Sequence, residues 1–222
     1  TRRSSDLSSF FASFVSFFKK PGALMAITFI LLYRFAEAQL ARLAGPFLLD
    51  SREVGGLALT TGAVGFVYGT VGVISLTLGG ILGGFAAARN GLRFWLPLMV
   101  CAINLPNLVY VYLAIAQPND FVIINTCVAV EQFGYGFGFT AFMLYMIYFA
   151  EGEHKTSHYA ICTGFMALGM MIPGMFSGWL QDILGYKNFF GWVVIATLPS
   201  FLVAFWAYRK IDPQFGRNES KK

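Results

Sequence analysis

Six apolar stretches, each about 20 residues or longer, follow one another along the chain with short polar gaps between them. They run over residues 23–49, 57–88, 94–116, 121–150, 156–184 and 189–208. A bilayer core about 30 Å thick is crossed by roughly 20 apolar residues of α-helix, so each stretch is predicted to be a membrane-spanning helix. Because the gaps are short, neighbouring spans are expected to be antiparallel.

The composition points to the same class of protein. Hydrophobic residues make up 57% of the chain and charged residues 12%, about half of the roughly 25% charged residues typical of soluble domains. So few polar side chains could not cover a water-facing surface, which excludes a soluble enzyme. The three cysteines lie inside apolar stretches without paired spacing, so we expect no disulfide, metal or cofactor.

The basic residues are distributed unevenly between the two sides of the predicted bundle. One side holds Arg2, Arg3, Lys19, Lys20, Arg89, Arg93, Lys155, Arg209, Lys210, Arg217, Lys221 and Lys222, and the other holds Arg52 and Lys187. Since cytoplasmic loops carry the excess of Lys and Arg, both termini are predicted to be cytoplasmic. A net charge of +5 that is spread over loops argues against a nucleic-acid partner.

The segments outside the spans suggest three regions. Residues 1–20 form a predicted cytoplasmic linker, 21–210 the transmembrane bundle and 211–222 a cytoplasmic tail. Within the linker, one helical face carries Leu7, Phe10, Phe11, Phe14 and Phe18, and the opposite face carries serines. This segment is either an amphipathic helix in the membrane interface or a linker that only touches the membrane. His154 and His158, in a loop on the same side, are expected to be solvated.

An internal repeat is predicted from self-similarity at a shift of 94 residues. The shift aligns Gly80 with Gly174, Gly84 with Gly178, Phe85 with Trp179, Gly91 with Gly185, Arg93 with Lys187, and Glu37 with Glu131. The two repeats are residues 21–116 and 117–210, with three spans each. Because three is odd, the second repeat enters the membrane from the opposite face, an inverted arrangement known in secondary transporters.

The matching loops carry a shared pattern of a glycine followed by a base. The residues concerned are Arg89, Gly91 and Arg93 in the first loop and Asp182, Gly185 and Lys187 in the second. The pattern resembles the gating-loop signature of the major facilitator superfamily, except that Ala88 replaces its acid. A tight turn with ordinary interfacial charges explains the first loop equally well.

Polar residues inside the first and fourth stretches are candidates for a solute or proton pathway. They are Arg34, Glu37, Arg42, Glu131, Gln132 and Tyr135. Glu37 is about 21 Å and Glu131 about 15 Å into its span, so neither carboxyl reaches the headgroups. Arg34 and Glu37 are three residues apart and can pair. The alternatives are acids that exchange protons beside arginines that attract an anion, or a structural ion pair.

Helix breakers and small residues give a weaker signal. Gly134, Gly136 and Gly138 alternate after Glu131, so the fourth span could bend there. The pairs Gly65/Gly69, Gly80/Gly84 and Gly174/Gly178 have the spacing that permits close helix crossing. For these glycines, packing is the favoured interpretation.

Two longer motifs resemble one family. LLYRFAEAQLARLAGPFLLD (31–50) and SHYAICTGFMALGMMIPGMFSGWLQDILGY (157–186), with the stretch from Glu131 to Phe142, are similar to the AmpG-type muropeptide permeases of the major facilitator superfamily. The related acetyl-CoA transporter branch is also compatible. The resemblance implies an all-α fold of twelve spans, of which this chain is the C-terminal six-helix half, partnered by the N-terminal half.

The same resemblance implies a function. It is proton-coupled symport of a muropeptide or amino-sugar solute across the bacterial inner membrane, without enzymatic activity. The alternatives are transport of acetyl-CoA or another organic anion or sugar, a non-transporting signalling subunit, and a membrane-embedded hydrolase. For the last, the sequence lacks a Gly-x-Ser-x-Gly elbow and a metal cluster.

Overall fold

Helices dominate the computed structural model, which describes residues 2–217, with side chains from residue 11 onward. They are α1 (Arg2–Lys19), α2 (Ala23–Leu32), α3 (Phe35–Leu49), α4 (Thr61–Phe66), α5 (Val73–Asn90), α6 (Leu92–Asn104), α7 (Leu108–Ala116), α8 (Phe121–Ala150), α9 (Lys155–Ile195) and α10 (Leu198–Tyr208). A π-helical turn, Val67–Gly72, joins α4 to α5, and a 3-10 turn, Leu105–Asn107, joins α6 to α7. A further 3-10 turn, Arg52–Val54, follows α3.

Five helical stretches in the described part of the chain are long and apolar enough to cross a bilayer. They are Ala23–Leu49, Thr61–Asn90, Leu92–Ala116, Phe121–Ala150 and Lys155–Tyr208. The all-helical membrane class is therefore confirmed. The second stretch begins at Thr61 rather than at residue 57, because the Leu57 and Leu59 amides bond back to carbonyls at the end of α3, at 2.9 and 2.8 Å.

The last stretch folds back on itself. Its 54 residues would extend about 81 Å if straight, far more than one crossing. Gly185, with φ 69 and ψ 162, interrupts the helix. Before it, Gly169 lies beside α2. After it, the Tyr186 hydroxyl donates to the aspartate that follows α3 (2.6 Å), and the Ser200 hydroxyl donates to an α2 carbonyl (3.2 Å). The stretch therefore runs along α2 and α3 in both directions, as two antiparallel lengths.

Gly91 and Gly185, which the repeat aligns, adopt nearly the same backbone conformation. Gly91 has φ 86 and ψ 160, and Gly185 has φ 69 and ψ 162. Positive φ is accessible to glycine without a steric penalty, which explains the residue at both turns. The two turns lie at opposite ends of the bundle, since Leu92 and Tyr186 belong to different apolar clusters. This agrees with an inverted repeat, which for the whole chain stays a prediction.

A layer of polar side chains divides the apolar core into those two clusters. The buried polar residues at mid-span are Arg34, Glu37, Gln39, Asn104, Asn107, Glu131, Thr197 and Ser200. On one side of this layer the core includes Phe17, Leu92 and Ile211, and on the other it includes Leu48 and Tyr186. Both ends of the described chain therefore lie at the same end of the bundle. Buried polar groups in a membrane bundle mark functional pathways more often than packing sites.

Helix α8 lies between α5 and α6 at very close range. A Cβ on Gly136 would meet the Leu76 carbonyl oxygen at 2.1 Å, and a Cβ on Gly134 would meet that of Ala102 at 2.1 Å. These glycines allow close contact between backbones. The contacts confirm the packing role that the sequence favoured for these glycines, and α8 is continuous for 30 residues.

The close crossing of α5 uses different glycines from those expected. Gly79 and Gly83 face α8, where an added Cβ would meet backbone or side-chain atoms at 2.1 and 2.6 Å. Around Gly84 there is no atom within 4 Å of an added Cβ. An added Cβ on Gly80 would lie 3.8 Å from the Gly136 carbonyl oxygen, so the closest contacts are at Gly79 and Gly83, and of the predicted Gly80/Gly84 pair only Gly84 lies away from α8.

Helix α1 packs on the start of α9 through its polar face. Ser13 and Ser16 hydroxyls bond the rings of His154 (3.3 Å) and His158 (2.8 Å). His158 is only 5% exposed, so the expectation that it is solvated is wrong, because α1 covers it. The buried ring of Phe17 also anchors this contact.

The opposite face of α1 carries the predicted apolar residues. Phe11, Phe14 and Phe18 are all exposed large apolar side chains. Leu7 and Phe10 lie outside the described side chains. An apolar face that is largely exposed agrees with a helix that rests in the membrane interface.

Candidate functional site

The first element of the candidate site is an arginine at a break between α2 and α3. Arg34 leaves helical geometry, with φ −110 and ψ 19. Its Nε and Nη2 atoms each lie 2.8 Å from Oε2 of Glu37, and Nη2 also donates to the Tyr135 hydroxyl at 2.6 Å. Both charged residues are about 95% buried. The predicted pairing of Arg34 with Glu37 is therefore present, and it is the one ion pair between residues that the structure describes.

Aromatic rings surround the same guanidinium. Its Cζ atom lies 4.7 Å from the ring centroid of Phe139, 5.2 Å from that of Tyr135 and 5.7 Å from that of Phe142. A cation over aromatic faces is stabilised electrostatically, most strongly where water is excluded. Arg34 therefore contacts the Glu37 carboxylate, the Tyr135 hydroxyl and three aromatic rings, one of which is that of Tyr135.

The second element is a cavity of about 350 Å³ beside this pair. Its polar lining consists of Glu37, Tyr68, Tyr110, Glu131, Gln132 and Tyr135. Glu131 is 6% exposed, and the Gln132 amide donates to its Oε2 at 2.9 Å. No arginine or lysine in the described part of the chain pairs with Glu131. The two in-span carboxyls therefore line one cavity, but only Glu37 is neutralised by a cation.

Two tyrosines that the sequence analysis did not single out complete the cavity. The hydroxyls of Tyr68 and Tyr110 are hydrogen-bonded to each other. Tyr68 lies in the π-helical turn Val67–Gly72, and Tyr110 follows the 3-10 turn that joins α6 to α7. Such irregular turns within helices are frequent at functional sites. The sequence feature that could have identified Tyr68 as a site residue is its position, as a polar side chain inside an apolar stretch.

Arg42 lies outside this cavity. Its exposed side chain lines a neighbouring groove of about 370 Å³ with small residues and methionines. The groove residues are Ala38, Ala41, Met170, Met171, Gly174 and Met175. Ala41 and Met170 line both the groove and the cavity. The structure thus brings together five of the six predicted pathway residues and places Arg42 beside them.

The predicted gating residues lie at the two ends of the bundle. At one end Arg89 is exposed, and the Arg93 guanidinium lies 5.1 Å from the Tyr208 ring centroid. Gly91 is covered by the chain end, where the Phe215 carbonyl accepts from the Leu92 amide at 2.9 Å. At the other end Asp182, Gly185 and Lys187 are exposed. None of the charged members forms an ion pair with another described residue.

Metal-binding chemistry has no candidate among the described residues. No group of three His, Cys, Asp or Glu side chains lies close enough there to hold an ion. Cys101, Cys127 and Cys162 are free thiols. The chemical groups that the cavity offers are carboxyl, amide and phenol.

Comparison with curated proteins identifies relatives over most of the chain. It is 24% identical over 207 residues to "Putative transporter AmpG 2" of Rickettsia typhi, covering 93% of this chain and 49% of that protein. It is 25% identical over 180 residues to "Putative transporter AmpG 1" of Rickettsia felis, covering 81% and 39%. An uncharacterized protein of Haemophilus influenzae is 23% identical over 209 residues, covering 89% and 47%. No protein-family model matches the chain.

These relatives are longer than the chain. The chain spans about half the length of the curated proteins it matches. The matches agree with the family that the motifs resemble, and they extend over the spans that carry Arg34, Glu37 and Glu131. The resemblance is thus confirmed: over 90–93% of its length the chain is similar to proteins named putative AmpG transporters.

Proposed function

We propose that this chain is the C-terminal half of a proton-coupled secondary transporter that carries a muropeptide or amino-sugar solute across the bacterial inner membrane by alternating access. Three observations support the proposal: the names of the relatives, the half-length match and the polar layer in the middle of the spans. In such transporters the solute site forms between two six-helix halves near the bilayer midplane. The cavity at Glu131 lies within the length of α8, beside the polar layer between the two apolar clusters.

The observation that carries the proposal is the difference between the two buried carboxyls. Glu37 is held by Arg34 at 2.8 Å, whereas the described partner of Glu131 is a neutral amide, Gln132. A buried carboxylate without a cation is costly, and a proton removes that cost. Glu131 is therefore the proton carrier, and the Arg34–Glu37 pair is the fixed charge beside it.

Alternating access explains why the proton and the solute move together. Moving an ionised carboxyl through a closed, dry state is unfavourable, whereas moving a protonated carboxyl is not. If the bundle closes only when Glu131 is protonated and the cavity is filled, each cycle carries one proton with the solute. Tyr135, which bonds Arg34 and lines the cavity, links the ion pair to the filled site.

Uptake into proteoliposomes tests this proposal. The full-length protein is reconstituted, an inward proton gradient is imposed, and uptake of a radiolabelled anhydromuropeptide is followed. Wild-type uptake is expected to rise several-fold with the gradient. Glu131→Gln is expected to remove this stimulation while solute exchange without a gradient continues. Glu53→Gln, which changes an exposed carboxyl in a loop, is the control and is expected to behave as wild type.

The same vesicles separate the alternative functions. Preferential uptake of acetyl-CoA or a simple sugar would contradict the muropeptide assignment while leaving transport intact. Gradient-insensitive uptake in the wild-type protein would contradict the role of Glu131. Binding of a protein partner without any solute movement would favour a signalling subunit.

A further inference from the structure

The groove beside the cavity contains an arginine at membrane depth. Arg42 lies six residues, about 9 Å, past the middle of the 27-residue stretch Ala23–Leu49, which places it about 6 Å inside the edge of a bilayer core about 30 Å thick. Its side chain is exposed, and no hydrogen bond or ion pair joins it to another residue between 11 and 217. At this depth an arginine without a protein partner faces water, an anion or the headgroup region, because its charge is costly among lipid chains.

The surroundings of Arg42 contain no acid that could serve as its partner. The groove is lined by alanine, glycine and three methionines, and the carboxylate on the same helix, Glu37, is already held by Arg34. Arg34 is enclosed by aromatic rings. Of the two arginines inside the first span, Arg42 is therefore the one that can receive an anion from outside the chain.

The groove and the cavity adjoin. An anion at Arg42 can therefore belong to the same molecule that occupies the cavity. Ala41 and Met170 line both spaces, so one elongated molecule can occupy the two together. Methionine side chains are flexible and polarisable and adapt to varied surfaces. A solute with polar groups at Glu131 would place an attached acid within reach of Arg42.

We propose that Arg42 is the anion-recognition residue of the solute pathway, binding the carboxylate of a solute whose polar body occupies the cavity at Glu131. This inference rests on the proposed transport function. The guanidinium recognises a carboxylate by two parallel hydrogen bonds. A lipid phosphate offers similar chemistry, and the experiment distinguishes the two sources.

Equilibrium binding to the full-length protein in detergent tests the inference without a proton gradient. N-acetylmuramic acid and N-acetylglucosamine are the probes, since the acid carries a 3-O-lactyl group whose carboxylate the neutral sugar lacks. Wild type is expected to bind the acid about tenfold more tightly than the neutral sugar. Arg42→Gln is expected to reduce that ratio to near one, and Arg42→Lys to keep part of it. Arg209→Gln, an exposed arginine at the end of α10, is expected to keep the wild-type ratio.

The outcomes separate this inference from the transport proposal. An unchanged acid-to-neutral ratio in Arg42→Gln would overturn it, even if proton-driven uptake through Glu131 holds. Equal binding of the two sugars by wild type, or binding of neither, would also overturn it. If Arg42→Gln changes only the response to added anionic lipid, the anion is a headgroup and the solute assignment fails. Because Arg42→Lys keeps the charge, its acid-to-neutral binding ratio tests the inference even if Arg42→Gln is unstable.

Discussion

Polar residues in the middle of the spans differ in how completely their partners satisfy them. The Arg34 guanidinium binds the Glu37 carboxylate and the Tyr135 hydroxyl. The Glu131 carboxyl receives one hydrogen bond from the Gln132 amide. Both Asn107 side-chain polar atoms are buried without a hydrogen-bond partner in the structure. The polar layer therefore combines a rigid ion pair with groups that can still accept a ligand or water.

Removing one member of the buried ion pair should destabilise the protein. In Arg34→Gln the Glu37 carboxylate loses its cation, and we expect a loss of about 3 kcal/mol in unfolding free energy. The double variant Arg34→Gln/Glu37→Gln should recover part of the loss, because no buried charge remains. Thermal unfolding can be followed with a thiol dye, since Cys162 is buried in the fold. Losses that simply add in the double variant would contradict a direct pair.

Local spacing predicted some of this site, and long-range packing decided the rest. The three-residue separation of Arg34 and Glu37 was sufficient to predict their contact. Arg42 is five residues after Glu37, which turns it about 140° away on a helix and explains its separate groove. Tyr68 and Tyr110 could not be paired from sequence, because their contact depends on the π-helical turn and on packing between distant helices.

At the scale of helices, glycines set the distance between neighbours. The three alternating glycines of α8 face α5 and α6 in turn, where added Cβ atoms would overlap backbone carbonyls. Their spacing favoured packing over a bend from sequence, and the structure adds which neighbouring helix each glycine contacts. The lengths of the spans, by contrast, were predictable from hydropathy, since the limits of the first and fourth agree with the structure.

Gly136→Ala and Gly84→Ala test this packing as a matched pair. The methyl group of Gly136→Ala would lie 2.1 Å from the Leu76 carbonyl oxygen, so we expect a loss of about 2 kcal/mol or more. At Gly84 there is open space, and alanine should be neutral or stabilise the helix by up to about 1 kcal/mol. Thermal unfolding in detergent provides the comparison. Equal effects of the two substitutions would show that α5 and α8 are not in close contact.

Lys20 fixes the junction between α1 and the bundle. Its ammonium group donates to the carbonyls of Phe149 and Glu151, at the end of α8. A cation at a helix C-terminus satisfies free carbonyls and complements the helix dipole. Lys20→Met should therefore increase hydrogen exchange in the last turn of α8 about fivefold, a loss of about 1 kcal/mol. Lys19→Met removes an exposed lysine and should have no effect; faster exchange in both variants would reject the cap.

At the scale of the whole molecule, the polar layer and the loop charges define two ends. One apolar cluster lies beside the ends of the described chain and the residues around Arg93 and Lys155. The other cluster lies beside the turns at Arg52 and Lys187. This arrangement agrees with the sequence prediction that groups the basic residues on one side. In the proposed transporter a second bundle supplies the rest of the solute site, and those contacts cannot be predicted from this chain.

Cysteine labelling in intact cells tests the orientation. In a variant whose three native cysteines are replaced, Glu53→Cys should react with a membrane-impermeant maleimide, because its turn is predicted to lie outside. Glu153→Cys should react only after the membrane is opened, because its loop is predicted to be cytoplasmic. The reverse pattern would contradict the predicted orientation, and labelling of both sites in intact cells would contradict a single orientation.

Proton movement driven by solute is the most direct test of Glu131 as the proton carrier. Proteoliposomes that contain the full-length protein and a trapped pH-sensitive dye receive an anhydromuropeptide with no imposed gradient. We expect the lumen to acidify as solute enters through the wild-type protein, and Glu131→Gln to transport solute without a pH change. Solute entry without acidification in wild type, or undiminished acidification in Glu131→Gln, would contradict Glu131 as the proton carrier.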